Sequence, residues 1–227
     1  EGGTKDFGFP VNNKVDISKY HGTEAFMKTT KYGYLPMGLF QTVDELRKAN
    51  DMDNYWKLFN ELDEKYKEVI YGGVCLPERK GEAILMFNRT QKNYKFFITQ
   101  IVYNYKLFED LINEYSNLCI TNGINPAKII FNFALFASES TIKFMKCLGV
   151  IFDENFESEI TDLKLRDDAE INYIEYSMDK SCELYKNLIK LCREKHIPFG
   201  FSADVVSGSK MEFLKSIELY KKLKQIV

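Results

Sequence analysis

The chain has 227 residues, 45% of them apolar, enough for a substantial core, and a single α/β domain over residues 1–227 is the expected organisation. Its 31 basic and 33 acidic residues are mixed throughout and leave a formal charge of -2, so no long-range field gathers nucleic acid or an anionic membrane. No run of about 18 apolar residues offers a bilayer span and no secretory or lipidation signal is read at the start, so the expected compartment is the cytoplasm.

Residues 1–40 are turn material interleaved with aromatics, as in Phe7-Gly8-Phe9, Asn12-Asn13 and Tyr32-Gly33-Tyr34-Leu35-Pro36. A loop of this length in a compact domain is expected to be ordered over a site or at a subunit contact. Thr42 is a candidate cap for a helix from Val43, and a further helical stretch covers 53–67. A strand follows at 68–75, then a short amphipathic helix at 80–92 with Ala83, Phe87 and Thr90 near one face. The strand at 95–101 precedes a helix at 105–121, on which Leu107, Leu111, Tyr115 and Leu118 recur at helical spacing. Next come a strand at 128–135, a helix at 138–147 and a shorter helix begun by Ser158 or Thr161. The segment 167–195 carries Ile171, Ile174, Met178, Leu184, Leu188 and Leu191 in a mostly helical rhythm. A strand at 198–203 and a helix at 210–226 complete the order.

Four alternations of strand and helix imply a parallel sheet. Four strands are half the number in an eight-stranded barrel, which needs roughly 250 residues. The expected fold is therefore α/β, a TIM-type (β/α)8 barrel of which this chain supplies mainly the second half, with an open doubly wound sheet as the alternative. In either fold ligands collect at the carboxyl ends of the strands. Two such ends stop abruptly on polar groups, at Leu76-Pro77-Glu78-Arg79 and at Ile98-Thr99-Gln100.

Cys75, Cys119, Cys147, Cys182 and Cys192 are an odd set without CxxC spacing, and four lie in apolar segments, so they read as reduced core cysteines. His21 and His196 are the only histidines, and no metal site is expected. There is no GxGxxG fingerprint. Ser207-Gly208-Ser209-Lys210 precedes the last helix, where capping by Ser207 or Ser209 is preferred over phosphate binding.

The order of strand ends resembles the methylenetetrahydrofolate reductase family, a flavin-dependent (β/α)8 barrel. The matching pieces are Gly2-Gly3, the run from Gly72 to Glu78, Arg89, and the run from Phe96 to Asn104, continuing through Lys128-Ile129-Ile130 to Phe199-Gly200-Phe201-Ser202. The resemblance implies reduction of 5,10-methylenetetrahydrofolate to 5-methyltetrahydrofolate, with NADH or NADPH reducing bound FAD, in one-carbon metabolism and methionine biosynthesis. It also implies that the first four strands lie upstream of residue 1 together with the catalytic acid, so no catalytic residue is assigned in this chain.

For the folate, the resemblance points to Gln100, whose carboxamide both donates and accepts and so suits the mixed edge of a pterin. Phe131 or Phe133 is a candidate for a ring pocket, with core packing as the competing reading. Ser202 and Asp204 are further polar candidates at the last strand end. For the flavin it points to Gly2 and Gly3, which permit close approach, and to Glu78, Arg79 and Arg89.

Departures from the family are equally specific. Gly3 stands where an aspartate is usual, Asn132 lies where better-known members have a Pro-Gly-Ile strand end, and Tyr103-Asn104 replaces Phe-Asp. The Gly3 and Asn132 departures give weight to an alternative beside the reductase, a divergent non-reductase barrel protein that binds a folate, a corrinoid-related partner or another protein. The expected partners are a folate small molecule and either a second copy of the chain or a methyltransferase or corrinoid protein.

Overall fold

In the computed structural model the described residues are 71–164 and 167–227. Gly2, Gly3, the Thr42 cap and the expected helix at 53–67 lie outside them. The chain divides into two compact units, and the larger, Cys75–Lys92 with Phe96–Val227, carries the packing that follows.

Strands β1 (Tyr71–Cys75), β2 (Tyr94–Ile101), β3 (Lys128–Ala134) and β4 (Phe199–Asp204) form one sheet in that order. β3 pairs in parallel with both β2 and β4. The intervening helices are α1 (Glu82–Gln91), α2 (Tyr105–Thr121), α3 (Glu139–Cys147), α4 (Phe156–Lys164) and α5 (Ala169–Glu194), with α6 (Lys210–Ile226) last. The α/β class and the parallel sheet follow the sequence expectation. Among the described residues no helix is long and apolar enough to cross a membrane.

Alternation along the strands decides what each face touches. On β3, Ile129, Phe131 and Phe133 are buried, whereas Ile130 and Asn132 are half-buried. Phe131 stands edge-on to Phe108 of α2 and Tyr185 of α5, and Phe133 also meets Tyr185. Phe97 of β2 meets Tyr115 of α2, while Phe201 of β4 meets Tyr185 and Tyr220 of α6. Helices α2, α5 and α6 therefore cover one and the same face. The opposite face carries Gln100, Asn132 and Ser202, all half-buried.

Local signals set the helix limits. Asn104 caps α2, its Oδ1 accepting from Leu107 N (3.2 Å) and its Nδ2 donating to Phe152 O (3.3 Å). The buried stripe of α2 is Phe108, Leu111, Ile112, Tyr115, Ser116 and Cys119, turned by about one position from the expected set because Phe108 wedges against Phe131. α4 begins at the buried Phe156 and not at Ser158 or Thr161, whose hydroxyls donate back to the carbonyls of Asn155 and Glu157. Ile171, expected on the apolar face of α5, is exposed. All five cysteines are free; Cys75, Cys119 and Cys192 are buried, but Cys182 is half-buried and Cys147 at the end of α3 is exposed.

One buried carboxylate ties two strand ends together. Glu212 on α6 accepts from Ala137 N (2.8 Å) and Thr141 Oγ1 (2.8 Å) in the segment after β3, and from the Ser207 hydroxyl after β4. Ser209, the N-cap of α6, accepts from Glu212 N (3.3 Å). Ser209 is thus the cap, while the Ser207 hydroxyl serves the Glu212 carboxylate and accepts from Ser209 N (3.1 Å).

Candidate functional site

A β-bulge shapes the carboxyl end of β2. The register with β3 runs regularly to Ile98 and Ile130, then shifts so that Ile101 faces Asn132. Inside the bulge the buried Thr99 turns its hydroxyl to accept from Asn132 N (3.0 Å), replacing a lost ladder bond, and Val102 N donates to Asn132 O (2.9 Å). Such bulges re-aim side chains. The side chain re-aimed here is Gln100. Its Nε2 donates to Leu148 O (2.9 Å) and its Oε1 accepts from Ile101 N (3.0 Å), which fixes the carboxamide while using one of its two N–H groups.

Leu148 belongs to the turn after α3, and the next residue explains how that turn comes so near. Gly149 has a left-handed backbone, φ +88°, and the point where a Cβ would stand lies 3.8 Å from Glu78 Oε1 and 3.9 Å from Gln100 Nε2. Glu78 and Gln100 therefore flank one small gap. Burial raises the Glu78 carboxyl above its ordinary pKa, against the lowering effects of its own backbone N–H and of Arg79. Gly149→Ala is expected to cost about 1–2 kcal/mol through the left-handed backbone alone, read as a lower midpoint in urea at unchanged slope.

The ends of β3 and β4 add the second half of the polar row. Asn132 faces Ser202 in register, and Ser202 Oγ donates to Asn132 Oδ1 (3.1 Å). Partial desolvation raises the carboxyl of Asp204, an exposed residue at the end of β4, above its ordinary pKa, against a lowering effect of the Asn132 amide. Gln100, Asn132, Ser202 and Asp204 thus line the edge of three adjacent strands, on or beyond the face opposite α2, α5 and α6.

Other residues expected at the site lie elsewhere. Phe131 is fully buried between Phe108 and Tyr185, and Phe133 is fully buried against Tyr185, so both are core residues of the helix-facing layer and line no ring pocket. Arg79 forms an ion pair with the buried Glu82 (3.3 Å), and Glu82 Oε1 accepts from Leu76 N (3.0 Å), closing the turn that leads into α1. Burial raises the Glu82 pKa while Arg79 and, more weakly, Arg89 lower it. Arg79, one of the two arginines expected on a flavin, is thus paired with a buried carboxylate. Tyr103 is structural too: its hydroxyl donates to Ala134 O (2.6 Å), joining the ends of β2 and β3. Among the described residues no three His, Cys, Asp or Glu side chains are grouped as metal ligands.

No protein-family model matches the chain, and no curated protein matches it either. Among solved structures it is similar to an uncharacterised protein from Clostridium thermocellum that binds two copies of 5-methyl-5,6,7,8-tetrahydrofolic acid. The two are 30% identical with a TM-score of 0.62, over 70% of this chain and 55% of the other. This chain spans about half the length of that protein.

Proposed function

We propose that this chain binds a reduced folate at the carboxyl edge of β2, β3 and β4. The observation that carries the reading is the 30% identity to a protein that binds 5-methyltetrahydrofolate. The polar row adds chemical sense, since a pterin presents N–H donors and carbonyl or ring-nitrogen acceptors along one edge and needs both kinds of partner. Gln100 supplies a carboxamide, and Asp204 supplies a carboxylate. Of the two functions expected from the sequence, the folate-binding protein without flavin chemistry is the better supported. FAD-dependent reduction by NADH or NADPH has no comparable support, with Arg79 engaged by Glu82.

The barrel belongs to the same proposal. A doubly wound sheet carries helices on both faces, whereas a barrel carries them all outside. The aromatic contacts of β2, β3 and β4 run to α2, α5 and α6 on a single face. Among the described residues β4 has one strand neighbour, and α6 beside it exposes Phe213, Ile217 and Tyr220, a surface that a further βα unit would cover.

The test is a calorimetric titration of the chain with 5-methyltetrahydrofolate. The wild type is expected to bind, and Gln100→Ala to bind about 10-fold more weakly, the worth of roughly one to two hydrogen bonds. Unchanged affinity in the variant removes Gln100 from the site, and no binding by the wild type ends the reading. A visible spectrum of the same sample with bound flavin that NAD(P)H bleaches would return the reductase to first place.

A further inference from the structure

The parallel pairing of Ile98 with Ile130 sets what a regular ladder would do next. Its continuation pairs Gln100 with Asn132 and has Asn132 N donate to the main-chain oxygen of Thr99. The observed register instead brings Ile101 opposite Asn132, and Asn132 N donates to the Thr99 hydroxyl (3.0 Å). A side-chain oxygen thus stands in for the carbonyl of the same residue. Asn132 O keeps a donor in either register, from Val102 N as observed (2.9 Å) or from Ile101 N in the regular ladder, so the hydroxyl bond is what the bulged form adds. Thr99 is 3% exposed, and at a buried position such a bond is stronger than in water.

We propose that Thr99 is a positioning residue of the folate site, its hydroxyl selecting the register in which Gln100 meets the ligand. This rests on the folate reading above. Gln100 follows Thr99 directly, and its carboxamide is spanned between Leu148 O (2.9 Å) and Ile101 N (3.0 Å). Relaxing the bulge moves Ile101 one residue along β3, about 3.3 Å, and draws Gln100 with it, out of hydrogen-bond range of Leu148 O. The same hydroxyl holds Asn132, whose Oδ1 accepts from Ser202 Oγ (3.1 Å). One buried group therefore sets the polar positions of β2 and β3 together, while contact with the ligand stays with Gln100.

The experiment is a double-mutant cycle on the full chain, titrated calorimetrically with 5-methyltetrahydrofolate. Thr99→Val, close in shape but without the hydroxyl, is expected to bind about 10-fold more weakly. Thr99→Ser, which keeps the acceptor, is expected to stay within about 2-fold of the wild type. Gln100→Ala costs about 10-fold by itself but is expected to add less than about 2-fold in the Thr99→Val background, because both changes remove one contact. A merely structural role for Thr99 makes the two losses multiply instead. Multiplying losses, or wild-type affinity in Thr99→Val, overturn the inference and leave folate binding standing. Where Thr99→Val fails to fold, Thr99→Cys, whose sulfur is a weak acceptor, is expected to lose about 3-fold, and affinity equal to that of Thr99→Ser overturns the inference. A wild type that binds no folate overturns both.

Discussion

Glu212→Ala is expected to remove about 3–5 kcal/mol of folding stability, the range for taking away one member of a buried polar network that includes a charge. Glu212 is 1% exposed and its carboxylate accepts from Ala137 N, Thr141 Oγ1 and the Ser207 hydroxyl. Alanine leaves Ala137 N buried without an acceptor and the Thr141 hydroxyl with Ser138 Oγ alone. Glu212→Gln keeps one carbonyl oxygen, and the Ser207 hydroxyl can rotate to accept from the new amide, so a smaller loss of about 1–2 kcal/mol is expected. Urea denaturation checks the order wild type, Gln, Ala. A loss below about 1 kcal/mol for alanine would show that the network is not a stabilising tie. The consequence reaches the site, because the bonds join the segments that follow β3 and β4, the strands bearing Asn132 and Ser202.

Phe136→Ala has an expected cost of about 3–5 kcal/mol as well, from lost transfer energy and a cavity that its neighbours only partly fill. Phe136 is fully buried, with ring centroids at 5.6 Å from Tyr103, 5.9 Å from Phe156, 6.1 Å from Tyr173 and 6.1 Å from Tyr176. It lies at the heart of the cluster that includes Ile101, Ala134, Met145 and Val150. Phe136→Leu fills more of the space and is expected to cost less than about 1.5 kcal/mol. In thermal melts the alanine variant should fall by roughly 10 °C for a chain of this size, and the leucine variant by a few degrees. Equal melting of the two variants would contradict the packing account. Since Tyr103 both touches Phe136 and donates to Ala134 O, the alanine change should also loosen the joined ends of β2 and β3.

Element order was legible in the chain because its punctuation is local. α2 spans Tyr105–Thr121 as expected because Asn104 caps it, and α6 starts at Lys210 because Ser209 does the same. Gln100 and Ser202 were readable as polar strand ends. Alternation on β3 was readable too, but both faces of such a strand can be apolar, and only the position of α2 and α5 decides that Phe131 turns into the core. The bulge at Thr99 and Gln100 was not legible, since it depends on a hydroxyl meeting Asn132 N across 33 residues. Gly149 has a sequence signal only in hindsight: a glycine two positions past the end of a helix suits a left-handed turn, yet nothing local says that Glu78 and Gln100 lie beside it. The buried Glu212 had a partial signal in Ser209-Lys210-Met211-Glu212, a capping-box pattern. Its side chain instead reaches Ala137, 75 residues away, which no local pattern encodes.

The most direct test of the folate site is backbone amide hydrogen exchange with and without saturating 5-methyltetrahydrofolate. Slower exchange is predicted in the segments 100–104, 132–137 and 202–206, the carboxyl ends of β2, β3 and β4. Protection confined to the amino ends of those strands or to the outer surfaces of the helices, or no protection at all, would contradict it.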